Sequence, residues 1–242
     1  MSDPVQGAGG SSPRPSTEAA KRLVGEAAVD RFVRDGTCIG LGTGSTAYWA
    51  IRRVGERVAG GADLTAVATS AATEALCREL RIPLVGLLER ELDVAIDGAD
   101  EVTPDFALTK GGGGALFRER SVALAAARFI VIVDAAKVVE RLGAFPTPVE
   151  VVPYALAWVQ RELLRSFPDA TAAVRQRDGS PYHTDNGNLI LDCRFGAIAD
   201  PAGADAALRA IHGVVATGLF VGITDEVLVS DGREVWALPH PQ

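Results

Sequence analysis

The chain has 242 residues, 48% hydrophobic and 23% charged, with a net charge of −7. That length allows a large core and two domains, and the acidic balance excludes general nucleic-acid binding, which needs basic surface to neutralise phosphates. Its apolar stretches are short and interrupted by charge, so no membrane-spanning helix is expected.

Residues 1–16, MSDPVQGAGGSSPRPS, are rich in Gly, Ser and Pro and lack the basic start and apolar middle of a signal peptide. They read as a disordered leader. Thr17 can cap a helix whose Ala20, Leu23, Val24, Ala27 and Ala28 share one face. TCIGLG then reads as a strand and TGSTAYWAIRRVGERV as a helix. The same rhythm recurs in LTAVAT with SAATEALCREL, LDVAI with DGADE, FALT with GGGGALFRERSVALAAARF, and FIVIVD with AAKVVERL. Apolar strands alternating with helices imply an α/β fold with a mostly parallel, Rossmann-like sheet.

The pattern changes near Gly143. PTPVEVVP reads as a strand and YALAWVQRELLRSF as an amphipathic helix. ATAAVRQRD and NLILDCR read as strands, with the turn pair Asn186-Gly187 before the second. PAGADAALRAIHG is a helix pattern and VVATGLFV a strand. This βαβ-βαβ order is that of a smaller ferredoxin-like α+β domain. DEVLVS is expected to return to the large sheet. The expected division is 17–145 with 221–242 for the Rossmann-like unit and 146–220 for the small one.

Ligands of open parallel sheets bind outside the carboxyl ends of the strands, so the loops there matter most. In IGLGTGSTA, Gly40, Gly42 and Gly44 allow tight turning, while Thr43, Ser45 and Thr46 offer hydroxyls and amides at a helix start. That suits an anion. Neither a complete GxGxxG nor a Walker lysine is present. Ser70 and Thr73 fit a helix N-cap. Asp97 and Asp100 flank Gly98 at a strand end and are followed by Glu101, without the alternating ligands of a calcium loop. Lys110 precedes four glycines, Gly111–Gly114, whose apolar flanks fit close backbone approach to a ligand better than a linker. Glu119 lies early in the next helix, and Lys137 follows the strand FIVIVD.

Cys38, Cys77 and Cys193 form no CxxC pair, and His183, His212 and His240 share no metal-ligand spacing. Disulfides, zinc and other metal sites are therefore not expected, and a reducing cytoplasm is. No GxSxG supports a serine hydrolase. The loops together suit a polyhydroxylated phosphate ester, with carboxylates for hydroxyls, amides and lysines for phosphate, and a carboxylate–lysine pair for proton abstraction beside a carbonyl.

GLGTGSTA, TSAATE, DGADE, KGGGGALFRE, FPTPVEV and TDNGNLILD stand in the order found in the ribose-5-phosphate isomerase A family, which the chain resembles from about residue 17 to about residue 229. The resemblance implies a cofactor-free aldose–ketose isomerase of the pentose phosphate pathway that interconverts ribose 5-phosphate and ribulose 5-phosphate. It implies Glu119 as general base, Lys110 as stabiliser of the enediolate, and Asp97 and Asp100 as groups that bind sugar hydroxyls and assist ring opening. Thr43, Gly44, Ser45 and Thr46, then Gly98 and Ala99, then Gly111, Gly112 and Gly113, match substrate-binding positions. Lys137 matches a phosphate-side lysine, and Lys21 aligns with a second. Ala136 stands where the family usually has serine, so the phosphate loop has one hydroxyl fewer. A homodimer or homotetramer is implied. The rival reading is a non-catalytic sugar-phosphate sensor, which needs the anion loop but not Glu119 and Lys110 together.

Overall fold

The computed structural model describes residues 17–241; the expected leader, 1–16, lies outside them. The chain opens with α1 (Thr17–Phe32), β1 (Cys38–Leu41), α2 (Ala47–Ala59), β2 (Thr65–Ala68), α3 (Ala71–Glu79) and β3 (Val94–Gly98). It continues through β4 (Glu101–Val102), β5 (Leu108–Thr109), α4 (Leu116–Ala125) and β6 (Phe129–Asp134). Next come β7 (Thr147–Val151), α5 (Leu156–Ser166), β8 (Thr171–Val174), β9 (Gln176–Arg177), β10 (Ser180–Pro181) and β11 (Leu189–Arg194). It ends with α6 (Pro201–Arg209), β12 (Val214–Thr217), β13 (Leu219–Phe220), β14 (Glu226–Ser230) and β15 (Val235–Ala237).

The large sheet has the order β15-β14-β6-β3-β1-β2, parallel throughout except for the antiparallel edge strand β15. β6 shows why its residues 129–133 are all apolar. Ile130 and Ile132 pack into one core with Ile39, Leu41, Val54 and Val24, while Phe129, Val131 and Val133 pack into another with Val122 and Phe220. Successive side chains point to opposite faces, and both faces are covered. DEVLVS does return here, with β14 parallel to β6. Among the described residues no helix is long and apolar enough to cross a membrane.

The second sheet, β12-β7-β11-β8, is antiparallel at every pairing and has the ferredoxin-like order. α5 and α6 close its apolar face through Val159, Leu163 and Leu208. All of its strands fall between Thr147 and Arg194 or at Val214–Thr217.

Four local expectations change. FALT is not a strand of the parallel sheet. Phe106 takes a left-handed turn (φ 64°), and β5 pairs antiparallel with β4 and β13 in a separate three-stranded sheet. AAKVVERL forms only a single 3-10 turn over Ala135–Lys137. Val138 is already extended, and the Val139 amide donates to the Val102 carbonyl at 2.9 Å. VVATGLFV divides at Gly218 into two strands of different sheets, β12 pairing with β7 and β13 with β5, and the chain there passes so close to the Lys110 carbonyl that a Cβ on residue 218 would overlap it. A hairpin also intervenes between β8 and β11, turning at Asp178 (φ 52°) and Gly179 (φ 77°), the positive pair that a two-residue hairpin favours.

Candidate active site

The helix after β1 begins at Ala47 rather than Thr43, so residues 43–46 remain a loop whose amides are free of helix bonding. This loop is pinned from below. The Thr43 amide donates to Asp97 Oδ1 at 3.1 Å, and Thr43 Oγ1 sits 2.8 Å from both Thr69 Oγ1 and Ser70 Oγ. A Cβ on Gly42 would fall 1.9 Å from Asp97 Oδ1, so the close approach of backbone to carboxylate requires glycine. Ser70 does cap α3, accepting from the Thr73 amide at 3.1 Å.

Lys110 follows the short strand β5, and its backbone amide is held by the Gly218 carbonyl at 2.8 Å. Its side chain is only 2% exposed. The ammonium lies 2.9 Å from Asp97 Oδ2 and 3.4 Å from Glu119 Oε1, and donates to the Gly98 carbonyl at 2.5 Å. Burial alone would push Lys110 down, but Asp97 and Glu119 outweigh it and hold the ammonium above its ordinary range. Glu119, in the first turn of α4, is 4% exposed, and its Oε2 has no hydrogen-bond partner. Burial pushes its carboxyl up to about 8. Lys110 opposes that shift, but Asp97 and Asp100 reinforce it.

The glycine loop answers to several constraints. Gly111 (φ 94°) and Gly114 (φ 84°) are left-handed, and a Cβ on Gly112 would sit 2.6 Å from Asp100 Oδ1. Asp100 Oδ2 accepts from the Gly112 amide at 2.8 Å. Burial raises the Asp100 carboxyl, offset in part by that amide, Lys110, Lys137 and Arg175.

These loops enclose one cavity of about 340 Å³. Thr43, Gly44, Ser45, Thr46, Gly98, Ala99, Asp100, Lys110, Gly111, Gly112, Gly113, Glu119, Lys137 and Lys21 all line it. Asp97 does not; it stands behind, buried, bracing both Lys110 and the Thr43 loop. Thr17 and Asp134 also line the cavity, and neither was singled out as a binding residue. Asp134 ends β6, a position that the strand-end rule marks. Its Oδ1 caps the turn before Lys137 by accepting from the Ala136 amide at 3.1 Å. Among the described residues no group of three or more His, Cys, Asp or Glu side chains is arranged to hold a metal ion.

Fold and cleft together define an α/β protein with a polar cleft at the carboxyl ends of its parallel strands and a buried lysine–glutamate pair in its floor. Residues 65–234 match the family described as Ribose 5-phosphate isomerase A (phosphoriboisomerase A). The Ribose-5-phosphate isomerase A of Bacillus mycoides is 46% identical over 211 residues, 86% of this chain and 94% of that protein. The solved ribose 5-phosphate isomerase A of Methanocaldococcus jannaschii is 41% identical with a TM-score of 0.87, across 92% of this chain and 99% of that one. A solved D-ribose-5-phosphate isomerase in complex with phospho-erythronic acid is 38% identical with a TM-score of 0.89, across 93% and 100%. The chain belongs to the ribose 5-phosphate isomerase A family, the one its motifs resemble.

Proposed function

We propose that this protein interconverts D-ribose 5-phosphate and D-ribulose 5-phosphate through an enediolate, without a cofactor. One observation carries the reading. Glu119 and Lys110 lie 3.4 Å apart, both buried, in the floor of a cavity walled by loop amides, hydroxyls, two further lysines and the carboxylates of Asp100 and Asp134. A carbon acid beside a carbonyl needs this pairing: a base for the proton and a cation for the oxygen that gains charge.

In this reading Asp100, its carboxyl raised by burial, assists opening of the sugar ring. The Glu119 carboxylate then takes the proton from C2. The bond electrons move into C1–C2, and the C1 oxygen becomes anionic beside Lys110. Glu119 returns the proton to C1, and the O2 proton passes to O1 as the C2 carbonyl forms. Atoms and charge balance without any co-reactant. Asp97 holds Lys110 and the Thr43 loop in place from behind the cavity. Thr43–Thr46, Gly98, Ala99 and Gly111–Gly113 bind the substrate, and Lys137 and Lys21 take the phosphate. Phospho-erythronic acid in the solved relative is a phosphorylated sugar acid, which accords with a sugar phosphate in this cleft.

The catalytic unit is assigned to 17–145 with 221–242 and the small unit to 146–220. A cytoplasmic homodimer or homotetramer completes the proposal. A ribose 5-phosphate sensor would need the same anion loop but gains nothing from an under-satisfied buried carboxylate beside the lysine. The assay that decides is turnover of ribose 5-phosphate by wild type and Glu119→Gln. Loss of roughly 10²–10⁴-fold in kcat is expected on removing the base. A folded wild type that binds the sugar phosphate but does not isomerise it would establish the sensor.

A further inference from the structure

We infer that Arg175, braced by Asp192, is a positioning residue that sets the orientation of the glycine-loop amides from the opposite sheet; the inference rests on the isomerase reading and deepens it. Arg175 lies just beyond β8, in the small sheet's part of the chain, and its side chain is 14% exposed. Its guanidinium is used on both edges. Nε and Nη2 grip the Asp192 carboxylate at 2.9 and 2.5 Å. Nη1 donates to the Gly111 carbonyl at 2.8 Å and the Gly112 carbonyl at 3.2 Å.

The consequence follows from peptide geometry. In a planar trans peptide the carbonyl and the amide hydrogen point to opposite sides. The Gly111–Gly112 peptide is held at both ends, its carbonyl by Arg175 and its N–H by Asp100 at 2.8 Å. The next peptide is held only by its carbonyl, so the Gly113 N–H is turned away from Arg175. That side is the cavity, which Gly113 lines. Among the described residues no protein acceptor meets this N–H, so it is available to a substrate oxygen.

Glycines cannot hold these planes themselves, because their backbone is the least restricted of any residue. A planar fork bound on two edges supplies the restriction, and lysine, a point charge, cannot. Nearby, Tyr182 packs against Gly114, where a Cβ would be 2.4 Å from its hydroxyl, so the same hairpin region braces the loop a second time.

The test uses the full-length protein. Arg175→Met, Arg175→Lys and Asp192→Asn are compared with wild type for kcat, KM and Tm. The same changes in a Glu119→Gln background are titrated with ribose 5-phosphate by calorimetry, which reads binding without turnover. Disordered amides weaken ground state and transition state alike, so KM and Kd should rise about tenfold or more for Met and Lys, with kcat within about threefold. Asp192→Asn should move the same way by less. Guanidinium added to Arg175→Ala should restore KM saturably.

A folded Arg175→Met or Arg175→Lys with parental KM and Kd overturns the inference. Unfolding of both, with no guanidinium rescue, also overturns it by making the residue purely structural. Wild-type binding without turnover would instead defeat the isomerase reading, and the calorimetric arm would still decide the clamp.

Discussion

Glu101 and Glu119 are both buried, 3% and 4% exposed, yet they are built in opposite ways. Glu101 has all of its donors. Its Oε2 accepts from Thr109 Oγ1 at 2.8 Å and the Gly143 amide at 3.0 Å, and its Oε1 accepts from the Phe145 amide at 2.8 Å. It thereby joins the three-stranded sheet to the loop that enters the small unit. Glu119 has one lysine at 3.4 Å, shared with Asp97, and a second oxygen with no donor at all. A satisfied buried carboxylate holds a structure together, whereas an under-satisfied one keeps its capacity for a ligand or a proton.

The largest effect expected of this contrast is a double dissociation. Glu119→Gln should lose roughly 10²–10⁴-fold in kcat without lowering Tm, because glutamine can turn its oxygen to Lys110 and leave its amide facing the cavity. Glu101→Gln should do the reverse. Glutamine would place an NH2 against a backbone N–H whichever way it turns, leaving a buried donor unmet at a cost of about 1–3 kcal/mol. Thermal unfolding and steady-state kinetics on the pair check it. A Glu101→Gln enzyme as stable as wild type would dissolve the contrast.

Gly112→Val sharpens the same comparison on the cavity side. Its Cβ would sit 2.6 Å from the Asp100 carboxylate, so loop and aspartate must separate. Overpacking of this kind costs about 1–3 kcal/mol, and it should appear as lost turnover, with the core cooperative on melting. Normal kinetics would mean that the loop adapts and the glycine is incidental.

A smaller effect concerns pH. Glu119 is raised to about 8 chiefly by burial, and a base acts only when ionised, so kcat/KM should climb as pH rises towards 8 and level above it. Stability has the opposite sign. The folded state keeps this proton more tightly than the unfolded chain, so ionising Glu119 between the ordinary carboxyl range and about 8 costs folding free energy. The Tm of Glu119→Gln should therefore gain on wild type as pH increases over that window. A pH-independent gap would remove burial as the cause.

How much of this was legible before any coordinates depends on range. β6 could be read because FIVIV is apolar throughout, up to Asp134 at the strand end, and both of its faces are covered. The anion loop, Lys110 and Glu119 were marked by strand ends and glycines, which are local signals. What failed was non-local. FALT joined another sheet because its partners, β4 and β13, include a segment far along the chain. AAKVVERL stopped after one turn because Val139 pairs with Val102. Asp97 reads as a ligand but stands behind the cavity, since only folding shows that Lys110 and Thr43 compete for it. Arg175 carried no signal, because the carbonyls it holds lie in the glycine loop more than 60 residues earlier in the chain.

The smallest expected effect asks on which side of the contrast the hydroxyl cluster under the anion loop falls. Ser70 accepts from the Thr73 amide at the start of α3 and lies 2.8 Å from Thr43 Oγ1. As a cap it belongs with Glu101, satisfied and structural. Removing such a cap costs about 1 kcal/mol, which in a chain of this size lowers Tm by about 2–4 °C. The loop would survive, because the Thr43 amide still reaches Asp97 at 3.1 Å and its hydroxyl still meets Thr69. Ser70→Ala should therefore melt slightly early and keep its KM. A KM raised about tenfold with Tm unchanged would move Ser70 to the side of Glu119, as a group whose bonds are kept for the ligand rather than for the fold.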